Sequence, residues 1–81
     1  MYWRKNIFQW IKNLFLEYGD NNDLNLMPGG YYFLGNNEAA VRERITDRLL
    51  PLLNDYLLEN RLSKILISEI ELFIQQIKQN I

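Results

Sequence analysis

The chain has 81 residues, of which 48% are hydrophobic and 14% aromatic, and its formal net charge at pH 7 is −1. This apolar content is too high for a disordered chain, and the near-neutral charge argues against nucleic acid as a partner. Cysteine and histidine are absent, which removes disulfides, thiolate metal sites and histidine-based catalysis. We expect one domain over residues 1–81, with no cofactor and a cytoplasmic location.

The first predicted element is an amphipathic helix at residues 3–18, in the segment "MYWRKNIFQWIKNLFLEY". Its apolar side chains recur at helical spacing, and Gly19 follows where a left-handed C-cap is usual. We expect the aromatic face to pack on the other helices. Two alternatives stay open: the face with Trp3 and Trp10 fits a groove in a partner protein, or the helix lies on a membrane surface.

A long Gly- and Asn-rich connection, "GDNNDLNLMPGGYYFLGNN", follows. Its Pro28-Gly29 pair fits the centre of a type II turn, and Tyr31–Leu34 is expected to form a short extended piece whose rings close the end of the core. The stretch "DNNDLN" lacks the spacing of an EF-hand calcium loop. The stretch "GYYFLG" lacks the Lys and Ser or Thr that complete a phosphate-binding loop. The connection therefore predicts neither a metal site nor a nucleotide site.

The second predicted helix covers residues 38–59, with Asn37 as its N-cap and Asn60 as its stop. Its apolar side chains stay on the same helix face before and after Pro51. Proline removes a backbone donor and crowds the preceding turn. We therefore predict a continuous helix with a kink at Pro51.

The third predicted helix covers residues 68–79, because Ser68-Glu69-Ile70-Glu71 is a capping-box pattern. A turn is expected at residues 61–67, and a start at Ser63 is the alternative. Together the elements predict an all-α fold, a small three-helix domain with a kinked central helix.

Residues 28–62, "PGGYYFLGNNEAAVRERITDRLLPLLNDYLLENRL", resemble the C-terminal helical lid of McrB-type AAA+ motors, the GTPase subunits of methylation-dependent restriction systems. Tyr32-Phe33 matches an "SYF"-like extended piece of that family, and the run from Pro51 to Tyr56 matches its "PLL-x-x-Y" element. The resemblance implies an inherited kink and a module that bears on a neighbouring subdomain. It implies no nucleotide-contacting residue, because the chain lacks the phosphate-binding loop and nucleotide-binding core of a motor.

The second predicted helix carries more leucines than its core-facing side can bury. Leu50 and Leu57 lie at the margin of the second helix's stripe, and Leu58 points away from it. Exposed apolar patches mark interaction sites, so these leucines are predicted to bind a partner, with Trp3 and Trp10 as further contacts. The predicted function is a non-catalytic protein–protein interaction module that docks on a larger AAA+ or defence-related protein or forms a homo-oligomer. The alternative is a small membrane-surface protein that uses its first helix.

Overall fold

Helices account for almost all of the chain that the structure describes. The computed structural model describes residues 2–33 and 37–79, and side chains within residues 7–32 and 37–79. No strand occurs in these ranges, and the predicted all-α fold is confirmed. In chain order the elements are α1 (Tyr2–Tyr18), α2 (Asn21–Leu24), a 3₁₀-helix (Gly30–Phe33), α3 (Glu38–Arg44), a π-helix (Ile45–Leu49), α4 (Leu50–Leu58) and α5 (Lys64–Gln79).

Three helical segments surround one core: α1, the continuous run from α3 to α4, and α5. α1 and α5 are antiparallel, because Ser63 Oγ donates to the Tyr18 carbonyl at 3.5 Å while the rings of Trp10 and Phe73 meet edge to face at 4.8 Å. The buried apolar side chains come from all three segments and the turn before α5: Ile7, Ile11, Leu14 and Phe15; Val41, Ile45, Leu49, Leu50, Leu53 and Tyr56; and Leu62, Leu66, Ile70, Phe73, Ile74 and Ile77.

The central segment passes through Pro51 without leaving helical geometry. The backbone at Leu49 and Leu50 keeps right-handed helical dihedrals, which confirms the predicted continuity. The turn before the proline is a π-helix, in which the Leu50 amide donates to the Ile45 carbonyl. Because Pro51 lacks an N–H, the α-helical hydrogen-bond series must be interrupted at this residue. The interruption is accommodated by one wider turn.

This π-helix corrects the predicted position of Leu50. At 3.6 residues per turn, Leu50 would lie roughly 140° around the helix from Ile45. The bond from the Leu50 amide to the Ile45 carbonyl brings both residues onto one face. Leu50 is consequently buried, at 4% exposure, whereas Leu52 is half-buried. The prediction that Leu50 belongs to an exposed patch is wrong.

Both predicted ends of the central segment are confirmed. The Asn37 side chain accepts a hydrogen bond from the Ala40 amide at 2.8 Å. At the other end Asn60 is left-handed, with φ of 54°. The Asn60 amide donates to Leu57 at 3.2 Å, and the Arg61 amide donates to Tyr56 at 3.0 Å. This pattern is a Schellman motif, which satisfies carbonyls left free at a helix C-terminus.

The predicted start of the third helix at Ser68 is wrong, and the alternative start at Ser63 is the better one. α5 begins at Lys64, and the Ile67 amide already donates to the Ser63 carbonyl at 2.9 Å. Ser68 lies inside the helix, where its hydroxyl donates to the Lys64 carbonyl at 3.5 Å. A capping-box pattern therefore occurred within a helix, one turn after the true start.

The long connection contains more structure than predicted. Asp20 caps the single turn of α2, and the 3₁₀-helix replaces the expected extended piece; Leu34 lies outside the described residues. Gly29 has no positive φ, so the predicted type II turn is wrong. The Tyr56 hydroxyl donates to the Leu26 carbonyl at 2.9 Å. This hydrogen bond links the connection to α4.

Gly19 also differs from its predicted role, since its φ is not positive. Its amide donates to the Phe15 carbonyl at 3.0 Å. A Cβ at this position would lie 2.6 Å from the Phe15 oxygen and 3.0 Å from the Cβ of Asp23. Glycine is required here because the backbone lies so close to the Phe15 carbonyl and to Asp23, rather than by a left-handed cap.

Candidate functional site

A shallow groove of about 240 Å³ lies between α4 and α5. Two residues of α4 and four of α5 form it, and we call it the α4–α5 groove: Asn54, Leu57, Glu71, Ile74, Gln75 and Lys78. The spacings of these residues, three or four apart, put each set on one face of its helix. The two faces lie side by side, since α4 contacts α5 and residues of both helices line one groove.

The groove has an apolar floor and a polar rim. Leu57 is half-buried and Ile74 is buried in the core, whereas Asn54 and Gln75 are exposed. Such a combination of an apolar centre with a polar edge is typical of surfaces that bind proteins.

Two charges of opposite sign mark the α5 side of the groove. Glu71 and Lys78 are exposed and lie two helical turns apart, roughly 10 Å along the axis. The ion pair of Arg61 with Glu59, at 3.7 Å, involves neither of these two charges. The charges of Glu71 and Lys78 are therefore available to a molecule that enters the groove.

The structure brings together some of the predicted partner-binding residues and separates others. Leu58 is 84% exposed and directly follows Leu57 of the groove. Leu50 is buried in the core, and Trp10 is half-buried against Phe73 in the seam between α1 and α5. The side chain of Trp3 lies outside the described residues. Of the predicted residues that the structure describes, Leu57 lines the groove, whereas Leu58 follows it on α4 without lining it.

Apolar periodicity did not predict the α5 half of this groove. Glu71, Ile74, Gln75 and Lys78 follow the i, i+3, i+4, i+7 spacing of one helix face. That spacing is readable from the sequence, but the face also contains Ile74, which belongs to the core stripe. Only the packing of α4 beside it shows that this face forms a groove.

A second concavity of about 290 Å³ lies beside the π-helix and carries a different chemistry. Its lining is mostly charged, with both signs present: Tyr31, Ala40, Glu43, Arg44, Asp47 and Arg48. The Arg44 guanidinium stacks 4.6 Å from the centre of the Tyr31 ring, and its Nη1 donates to the Tyr31 carbonyl at 3.4 Å. With no large apolar floor, this cleft is poorly suited to bury a partner's side chains.

One buried carboxylate, Asp23, has a structural explanation. Its oxygens accept from the Asp20 and Ser63 amides, each at 3.0 Å, while Asp20 accepts from the Asp23 amide at 2.9 Å. Burial acts to raise the pKa of Asp23, but the hydrogen bonds from Asp20 and Ser63 outweigh it and leave this pKa below 3.8. Across the described residues no group of three or more acidic side chains is placed to hold a metal ion.

The apolar face of α1, which a membrane-surface protein would need to expose, is packed inside the fold. Ile11 and Phe15 of that face are fully buried. None of the described helices combines the length and the apolar character needed to cross a bilayer.

Comparison with protein families, with curated proteins and with solved structures finds no match for this chain.

Proposed function

We propose that the chain is a non-catalytic protein–protein interaction module whose α4–α5 groove binds an amphipathic helix of a protein partner. The observation that carries the proposal is the groove with Leu57 half-buried on its floor, followed directly in α4 by Leu58, which is 84% exposed. Full burial of a leucine contributes roughly 1.5–3 kcal/mol. A leucine that is exposed in the free chain and buried in a complex can therefore anchor binding.

A helix suits this groove because of its shape and its charges. Two neighbouring helices leave a furrow between them in which a third helix can pack, with apolar side chains three or four residues apart on the floor. Glu71 and Lys78 favour opposite charges on the incoming helix. Complementary charges of this kind fix the direction of binding more than they raise affinity.

The likeness of residues 28–62 to the lids of McrB-type motors extends the proposal to a larger AAA+ or defence-related partner, because a lid works by bearing on its neighbour. The absence of cysteine supports a cytoplasmic site of action. The membrane-surface alternative ranks lower, since it would require Ile11 and Phe15 to leave the core.

The proposal is tested with a matched pair of leucine substitutions. Leu58→Glu places a charge on α4 one residue after Leu57 of the groove, and Leu16→Glu places the same charge on an exposed leucine of α1. Both variants should keep the circular dichroism and melting temperature of the unmodified chain. In affinity capture from cell extract, proteins retained by the unmodified chain and by Leu16→Glu should be lost with Leu58→Glu. Equal retention by both variants would contradict the proposal.

A further inference from the structure

We propose that the helix bound by the α4–α5 groove is α5 of a second copy of this chain, in a two-fold symmetric dimer. This inference rests on the proposed function and names its partner. The supporting observation concerns the two charges on the α5 side of the groove. A second α5 helix that runs in the opposite direction would place its Lys78 opposite Glu71 and its Glu71 opposite Lys78.

The complementarity follows from the positions of the two charges. Glu71 lies as far before the midpoint between Ile74 and Gln75 as Lys78 lies after it. If two copies of α5 pack antiparallel about that midpoint, Glu71 of each copy faces Lys78 of the other. A two-fold interface uses the same patch on both subunits, so each favourable contact occurs twice.

The floor of the groove fits the same arrangement. Near the two-fold axis, Ile74 of one copy would face Gln75 of the other, and Leu57 from both copies would flank this contact. A parallel arrangement would instead bring Glu71 onto Glu71 and Lys78 onto Lys78. Like charges in close contact are destabilising, so the antiparallel arrangement is favoured.

The test uses single charge reversals, measured by size-exclusion chromatography with light scattering. Unmodified chain should be dimeric. Glu71→Lys and Lys78→Glu should each weaken dimerisation by about tenfold or more, because both symmetric contacts become repulsive. An equimolar mixture of the two variants should recover the dimer, since all of its cross-contacts again pair Lys with Glu.

A matched control is available on the same helix. Lys64→Glu makes the same charge change as Lys78→Glu, on an exposed residue that does not line the groove. This variant should remain as dimeric as the unmodified chain. Recovery in the mixture would also show that both single variants are folded, and circular dichroism checks each one separately.

Two results would overturn the inference. In the first, the unmodified chain stays monomeric at millimolar concentration. In the second, the mixture of Glu71→Lys and Lys78→Glu dimerises no more strongly than either variant alone. Neither result decides the proposed function. If the chain is monomeric but Leu58→Glu still loses its captured proteins, the groove binds another protein and the dimer is wrong. If Leu58→Glu changes nothing either, both proposals fail.

Discussion

The carboxylate of Asp23 joins segments that lie far apart in the sequence. Only 1% of this residue is exposed, and its two oxygens accept backbone amides of Asp20 and of Ser63, 40 residues further along. Its charge also lies at the start of α5, where the helix dipole favours an anion. The end of α1, the turn of α2 and the beginning of α5 are thereby held together.

Asp23→Asn should destabilise the fold at neutral pH. The amide offers a single oxygen and no charge, and loss of such hydrogen bonds costs about 1–3 kcal/mol of unfolding free energy. Because the folded-state pKa of Asp23 is below 3.8, its ionised form contributes stability above that pH, and the contribution is lost as pH falls through the lowered pKa. Urea unfolding at pH 7 and pH 3 should show a difference between the two chains that shrinks in acid. A difference that is the same at both pH values would contradict this role.

Among the elements, the π-helix before Pro51 decides which leucines are buried. It turns Leu50 toward the core beside Ile45 and leaves Leu58 at the surface. The proline itself is exposed. Its effect on the fold is therefore exerted through the backbone rather than through contacts of its ring.

Pro51→Ala should preserve the helix and leave the unfolding free energy equal or higher. Alanine restores the missing backbone donor, and proline inside a regular helix costs roughly 3 kcal/mol, part of which the π-helix already relieves. Circular dichroism and urea unfolding measure both effects. A loss of helicity or a clear fall in stability would show that Pro51 is required to form the segment.

Apolar periodicity predicted the main helices, and the residues Asn37 and Asn60 predicted the ends of the central segment, because these signals are local. The position of Leu50 was predicted wrongly because a single π-helical turn rotates the residues that follow it around the helix axis. An apolar pattern analysed at α-helical spacing does not reveal that rotation. The role of Asp23 depends on Ser63, and the groove depends on how α4 packs beside α5. Neither arrangement is encoded in nearby residues.

For the molecule as a whole, α5 is the helix with a partner on two sides and a free face on the third. α1 covers one side and α4 the other. The outward face carries Glu71, Gln75 and Lys78, and Leu57 of α4 lines the same groove. We propose that the chain acts by contact through this face.

The most direct test is a concentration series of two-dimensional ¹H–¹⁵N NMR spectra on the full chain, whose 9.8 kDa mass suits the method. The amide signals of residues 54–58 and 71–78 should shift together as concentration rises, while those of residues 12–18 in α1 stay in place. Spectra that do not change with concentration would rule out the dimer alone, whereas shifts centred on α1 or on the cleft beside Arg44 would contradict the proposal that this face makes the contact.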